Sequence, residues 1–391
     1  MTEHGSKRIV ILGAGVSGLR IALKLENRLG MKKNSIILID ENEYHQYLYR
    51  IHEVCNNHYK EKDIIVPLIR IFKGKRVELV KASVTTIDPE RKVVKTNEGE
   101  QSYDILAITL GSHSTYFGIP GLEENSYTLG SYGQARVIRA RIEELFTEAE
   151  VTGQPPNILI GGGGFTGVEL AGEIADWYPF LCRQHNLEKP KIVLTIVEAM
   201  STILPGWNAD LVERAQGVLE SLGIELLLND PITSFEEKRV TLKSGKVLEP
   251  DLFVWTGGVR GDPVCTTGFE IMSHRIITDE YNRIPGHEDI FAAGDCACAV
   301  DELGRPRSPT AHIAMVQGDL VAHNIYNTLQ GSSLKKYKFE RAGEVVTLGK
   351  TNAVGDLFGI KFTGSLAKFM KKVVHWWYLY SIGGFSLLLG K

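Results

Sequence analysis

Along the chain, apolar residues first gather into a short run, Ile9-Val10-Ile11-Leu12, the pattern of a strand buried on both faces. The period then lengthens. Leu19, Ala22, Leu23 and Leu25 recur at helical spacing, and a second apolar run, Ile36 to Ile39, ends on Asp40. The same order returns later: a strand from Asn157 to Ile160, a helix over VELAGEIADWY, and a strand KIVLTIV ending on Glu198. Three further apolar strands end in small or acidic residues: Tyr103 to Leu110 before Gly111-Ser112, LEPDLFVWTGGV (248–259) ending in Thr256-Gly257-Gly258, and DIFAAGD, where Gly294-Asp295 is expected to enter a helix. Between the units, 63–72 reads as a short helix and 76–96 as alternating strands turning at Asp88-Pro89. The pattern predicts an α/β chain with two Rossmann-like dinucleotide-binding domains.

Glycine joins each opening strand to its helix. The first loop reads Gly13-Ala14-Gly15-Val16-Ser17-Gly18 and the second Gly162-Gly163-Gly164-Phe165-Thr166-Gly167. The first glycine of each permits the tight turn, the second lets the backbone approach a pyrophosphate, and the third lets helix and strand pack closely. The helix N-terminus then offers unpaired N–H donors to phosphate. Asp40, with Glu41 beside it, lies about twenty residues on, where a carboxylate accepts from a ribose hydroxyl. Glu198 stands further from its loop, and YPFLCRQHNLEKP is read as an insertion between helix and strand. A carboxylate there accepts from a ribose 2′-hydroxyl and repels a 2′-phosphate, so NADH is expected over NADPH. Asp295 is placed to hold the ribityl or phosphate side of a flavin nucleotide.

The last forty residues carry another pattern. Leu366, Phe369, Met370, Val373, Trp376, Trp377 and Tyr380 fill one helical face, and Lys361, Lys368, Lys371, Lys372 and His375 fall together on the other. An apolar stripe with paired Trp and a lysine face suits a helix lying in a membrane interface, each lysine adding about 1 kcal/mol near an anionic surface. Gly383-Gly384 interrupts the uncharged run 373–390, so a membrane span is not expected. Docking on the protein's own body or on a second subunit is the alternative, which leaves a homodimer open.

Composition excludes more than it selects. The chain has 391 residues, 43% apolar and 23% charged, with a formal charge of −3. No excess of Lys and Arg exists to neutralise phosphates, so nucleic-acid binding is not expected. Five scattered cysteines form no disulfide framework, and no Cys/His cluster has metal-ligand spacing, so no metal is expected. The opening MTEHGSKR has no apolar segment, and an intracellular protein is expected.

The stretches ILGAGVSGL, YDILAITLGS, YFGIPGLEE, GGGGFTGVELAGEIAD, VEAMSTILPGW, LFVWTGGVR, FAAGDCA and PTAHIAMVQG together resemble the type II NADH:quinone oxidoreductases, within the pyridine nucleotide-disulphide oxidoreductase superfamily. The glycine loops are shared across that superfamily; TGVELAGE followed much later by AHIAMVQG is more particular. The resemblance implies FAD in the first unit (1–114 and 283–330), NADH in the second (115–282), and a quinone across the flavin from NADH. It implies a ping-pong transfer of two electrons without proton pumping, and a C-terminal region (331–391) holding the protein peripherally on the cytoplasmic face of the cell membrane. Glu169 matches a glutamate that lies near the flavin and passes protons toward the quinone; the dipole of its helix offers another reason for an acid there. The quinone-side motif departs from the family's A-Q-x-A-x-Q-Q-G: His312 replaces the first Gln and Val316 one of the later pair, while Gln317 is kept. Gln317 is expected to hydrogen-bond a quinone carbonyl, and His312 to bind or donate. Two alternatives remain beside this reading. A sulfide:quinone oxidoreductase would need cysteines flanking the flavin, and the chain has none after Cys298. A slow flavin-binding membrane protein would account for the altered motif.

Overall fold

In the computed structural model, which describes residues 6–29, 34–56, 59–187, 193–298, 300, 304, 306, 309–338 and 343–389, each glycine-ended run lies at the centre of a five-stranded parallel sheet. The first sheet is built on β1 (Arg8–Leu12), which leads through the glycine loop into helix α1 (Val16–Leu29). β2 (Ser35–Asp40) and β3 (Glu78–Lys81) lie to one side, β4 (Ile105–Ile108) to the other. The second sheet contains β5 (Tyr127–Thr128), β6 (Ile158–Gly161), β7 (Leu194–Glu198), β8 (Glu225–Leu228) and β9 (Leu252–Trp255). Helices α2 (Tyr132–Thr152) and α3 (Phe165–Gln184) pack on it. β10 (Ile290–Ala292) returns to the first sheet, giving the orders β10-β4-β1-β2-β3 and β5-β9-β6-β7-β8. Strand order therefore reverses beside β1 and beside β6. In open parallel sheets a ligand lies at that reversal, outside the carboxyl ends of the strands.

The apolar runs behave as their composition requires. Ile9, Val10, Ile11 and Leu12 are wholly buried, one alternate set in the core beneath α1 and the other in the core on the opposite face. The alternating stretch forms an antiparallel meander, Val84–Asp88, Val93–Thr96 and Gly99–Ser102. The two crossings between the units pair with each other, Ser112–Ser114 against Val259–Gly261.

Two expectations need correction. Asp295 does not enter a helix. Small, buried Cys296-Ala297-Cys298 lets the chain lie flat, and Ala297–Cys298 pairs with Ile276–Ile277. The helix comes later, α4 (Ala311–Gln330), capped by Thr310 and packed along α1 through Gly318, whose added Cβ would stand 2.8 Å from the Ser17 carbonyl oxygen. The stretch YPFLCRQHNLEKP is not wholly an insertion either: α3 runs on through Pro179 to Gln184, and only 188–192 lie outside the described residues. Pro179 removes one helical N–H, which the helix tolerates beyond its most buried part.

A hairpin sheet of β11 (Gly343–Leu348), β12 (Asn352–Leu357) and β13 (Ile360–Thr363) leads into α5 (Gly364–Leu389), kinked at Gly384 (φ 60°). Among the described residues no helix is long and apolar enough to cross a membrane. α5 is oriented by charge. Its apolar stripe faces out, with Leu366, Phe369, Trp376, Trp377 and Tyr380 each about half exposed, while His375 is buried and Lys368 and Lys371 turn inward. The expected outward lysine face is thus largely spent inside the protein, Lys371 on Glu169 of α3 and Lys368 on the Gly349 and Lys350 carbonyls. Lys361 pairs with Asp210, and Lys372 remains exposed.

Candidate active site

The two glycine loops repeat one geometry. Gly13 has φ +92° and Gly162 φ +108°, a region an L side chain rarely adopts. A Cβ on either would strike the neighbouring strand's end, Thr109 O at 2.4 Å and the Gly257 backbone at 2.8 Å. Gly18 and Gly167 are as crowded: a Cβ would come within 1.9 Å of Gly13 O and 2.0 Å of Gly162 O. Between them, Gly15 and Gly164 face open space, with no protein atom within 4 Å of an added Cβ. Each loop is thus closed against its own sheet and open where a phosphate would approach.

Two threonines, not singled out in the sequence, lock these turns. Thr109 Oγ1 donates to Leu12 O (2.6 Å) and Gly13 O (3.0 Å); Thr256 Oγ1 donates to Gly161 O (3.1 Å) and Gly162 O (3.0 Å). Both stand at the end of the strand next to the loop, and their shared position was the available signal.

The acids repeat as well. Asp40 accepts from the Ala14 N–H (2.6 Å) and the Asn42 N–H (2.7 Å), and Glu198 accepts from the Gly163 N–H (2.6 Å) and the Met200 N–H (2.8 Å). Each carboxylate braces its glycine loop and keeps lone pairs for a ribose. Burial raises the Asp40 pKa, against the two N–H donors. Glu41 is exposed. Val16 and Phe165 open their helices, the Phe165 ring lying edge-on to Trp207 at 5.5 Å, and Thr166 is exposed. The Ser17 hydroxyl is taken by Ala314 O (2.8 Å).

The other residues singled out line the mouths of the two sheets. Gly111 (φ +79°) opens to empty space after β4, and Gly257 and Gly258 lie against the Trp255 and Phe117 rings. Ser112 donates to Asp295 Oδ2 (3.3 Å); burial raises that carboxyl, with Ser112 and Arg275 opposing. Gly294 turns at φ +80° against Ser17, and its N–H donates to Gln317 Oε1 (2.8 Å). Gln317 is 1% exposed, so its carbonyl oxygen braces the Asp295 turn, and Nε2 has no partner among the described residues. His312 is half-buried in the first turn of α4.

Glu169 is buried where α3, β11 and α5 meet. The Thr347 N–H (2.9 Å) and Oγ1 (3.0 Å) donate to its Oε1, Lys371 Nζ donates to the same oxygen, and His52 Nδ1 stands 3.2 Å from Oε2. Burial pushes the Glu169 pKa up, but His52, Lys371 and the Thr347 bonds prevail and hold it below the usual carboxylate range. Burial, reinforced by Lys371, lowers His52 to about 4 against the pull of Glu169, so the ring is neutral at pH 7. Thr347, Lys371 and His52 lie far from Glu169 in sequence, which gave no sign that they meet.

The aromatic stretch after Asp40 faces the C-terminal helix. Tyr49 OH bonds His375 Nδ1 (2.8 Å), Arg50 Nη1 bonds His375 Nε2 (2.9 Å), and Tyr378 OH bonds His45 Nε2 (2.8 Å). The other His45 nitrogen donates to Ala14 O (2.8 Å), linking α5 to the first glycine loop. Among the described residues no cluster could hold a metal ion. All five cysteines are free and buried. Cys265 lies against Cys296, whose hydrogen bond, with burial, raises its pKa.

A family model described as pyridine nucleotide-disulphide oxidoreductase matches residues 7–318. Curated relatives described as type II NADH:quinone oxidoreductase, from Staphylococcus aureus and Staphylococcus haemolyticus, are each 35% identical over 98% of both chains. The chain belongs to the type II NADH:quinone oxidoreductase family. Among solved structures, the NDH2 of Plasmodium falciparum in complex with NADH superposes with a TM-score of 0.84 at 17% identity, covering 98% of this chain and 97% of that one. The sulfide:quinone oxidoreductase of Aquifex aeolicus gives 0.80 at 20% identity over 96% and 91%. Likenesses at these identities establish the fold, which members of this family share with relatives of other specificity.

Proposed function

We propose that this chain carries two electrons from NADH to a membrane quinone through FAD, by a ping-pong cycle without proton pumping. The observation that carries the reading is the repeated loop geometry: two dinucleotide sites, each closed by a threonine, braced by an acid and open at its middle glycine. The residues fit FAD in the first unit, on 1–114 and 283–330. Gly15 leaves room for a pyrophosphate, Asp40 and Glu41 face the ribose side, and Gly111 and Asp295 face the flavin side. NADH falls to 115–282, on Gly164 and Glu198. Bound in the first unit, FAD supplies the relay, accepting hydride from NADH and giving both electrons to a quinone.

The chain's own groups supply placement and protons. Gln317 holds the Gly294-Asp295 turn rather than reaching outward, and His312 is the acceptor-side residue of α4. Glu169, kept ionised by Lys371 and the Thr347 donors, is the buried carboxylate that can take and return a proton as charge changes beside it. The exposed stripe of α5 lays the protein on the cytoplasmic face of the membrane, with residues 331–391 as the anchoring region. Binding then comes chiefly from apolar burial, because Lys368 and Lys371 are engaged inside.

Two results test this reading. Glu198→Gln removes the charge that opposes a 2′-phosphate, and is expected to raise flavin reduction by NADPH relative to NADH by about tenfold. An unchanged ratio in stopped-flow reduction removes Glu198 from nucleotide choice. Trp376→Ser/Trp377→Ser is expected to lower partitioning onto uncharged phosphatidylcholine vesicles by about tenfold or more, since two large exposed rings leave the apolar face. Flotation equal to the parent protein's excludes this stripe as the membrane contact.

A further inference from the structure

Three acids stand at turn spacing on one face of α3: Glu169, Glu173 and Asp176. Glu169 belongs to the site above, whereas Glu173 has no part in it. Glu173 is only 8% exposed. Asn56 donates Nδ2 to its Oε2 at 2.9 Å, and Oε1 has no hydrogen-bond partner among the described residues. Among the described residues no ion pair reaches it either. Asp176, half-buried at the outer end of the row, accepts the Lys350 N–H. Gly172 shares this face, and its added Cβ would stand 2.4 Å from Gly349 N, so the hairpin lies directly on the acid row.

The charged groups around Glu173 come from every packed element. Its own helix offers Asp176; the 3₁₀ helix Leu48–Cys55 offers Glu53 and the Cys55 thiol; α5 offers Lys368, whose ammonium is bonded to the Gly349 and Lys350 carbonyls. Arg139 of α2 binds the Asn56 carbonyl at 2.6 Å and stacks over Trp177. Burial, then Glu53 and Asp176, raise Glu173, while Asn56 and Lys368 oppose, and the balance stands at about 7. Glu169 differs. Held low by its partners, it is the carboxylate at rest and takes a proton only when the charge beside it changes.

We propose that Glu173 is a second acid in the proton supply to the quinone, loading from solvent at the Asp176 end of α3 and passing the proton along the helix face toward Glu169. The inference rests on the NADH:quinone reading above. The balance is simple: hydride from NADH carries two electrons and one proton, and the quinol needs one proton more, taken from solvent. Glu173 carries that proton inward and is left as the carboxylate, ready to load again. A carboxyl whose pKa lies near the working pH does this best, since both forms are populated.

The test is the pH dependence of reoxidation, read by reducing the FAD-loaded protein anaerobically with NADH and mixing it with a short-chain quinone. The parent rate is expected to fall above pH 7, approaching tenfold per pH unit as one ionisation requires. Glu173→Gln should be slow across pH 6–8 with that limb gone, and Glu173→Asp should restore it. Asn56→Leu, which keeps the acid and removes its donor, should move the limb to higher pH. A flavin-loaded Glu173→Gln protein with the parent rate and limb overturns the proposal. Should that variant fail to fold, an unmoved limb in Asn56→Leu overturns it equally. Parent protein that NADH reduces but quinone cannot reoxidise at any pH overturns the underlying reading and this inference with it.

Discussion

Glu169→Gln is expected to slow quinone-driven reoxidation by about 10²–10⁴-fold with flavin content unchanged, the range a positioned acid–base group contributes. Glutamine can still accept from Thr347, so the packing of α3 against β11 survives. What it loses is the charge that meets Lys371 and the ability to exchange a proton. Stopped-flow absorbance, following reduction by NADH and reoxidation separately, checks this: the second phase should change far more than the first. Lys371→Met tests the other partner. It strands a buried carboxylate, since the two side chains are only 15% and 9% exposed, and removal of one member of such a pair costs roughly 3–5 kcal/mol. Denaturant unfolding should show that loss. The Glu169→Gln/Lys371→Met double variant should recover part of it, because neither charge then stands alone.

The second large effect separates the two nucleotide sites. Gly15→Val and Gly164→Val introduce side chains where the protein has no atom within 4 Å, so both proteins should fold. Each valine then occupies the space a pyrophosphate needs. Gly15→Val is expected to purify colourless, without bound flavin, while keeping parent-like circular dichroism. Gly164→Val is expected to keep its flavin and raise the NADH concentration for half-maximal reduction by about a hundredfold or more, the cost of displacing charge-assisted phosphate contacts. Contrast Gly18→Ala and Gly167→Ala. There the added methyl meets backbone oxygen at 1.9 and 2.0 Å, and the helix must lift from its strand. Loss of both fold and cofactor in the valine variants would show that the open middle glycine has been misjudged.

The sequence made the two sheets legible because hydrophobic period and glycine spacing are local signals. Ile9 to Leu12 could be buried on both faces only in a covered parallel sheet, and there they lie. Gly383-Gly384 was legible as an interruption of the uncharged run, and the structure puts a kink at Gly384. What was not legible depends on which distant surfaces meet. The helical period of α5 gave two faces but not which one points inward. That choice is made by Glu169 on α3, about two hundred residues earlier, which pairs with Lys371, and by the Gly349 and Lys350 carbonyls, which hold Lys368; the tryptophans are left outside. Gln317 illustrates the same limit: a motif supplies the amide, but only the fold shows its oxygen held by the Gly294 N–H. The run after Asp295 was misread because a Gly-Asp pair followed by small residues suits a helix start as well as the short strand pairing that Ile276 and Ile277 impose.

The most direct test of the central claim is an anaerobic titration of the FAD-loaded protein, following flavin absorbance. NADH is added first, and a short-chain quinone once bleaching is complete. The account predicts rapid bleaching by NADH, much slower bleaching by NADPH, and full return of the oxidised spectrum with one equivalent of quinone. Flavin that stays oxidised with NADH but bleaches with sulfide would contradict it.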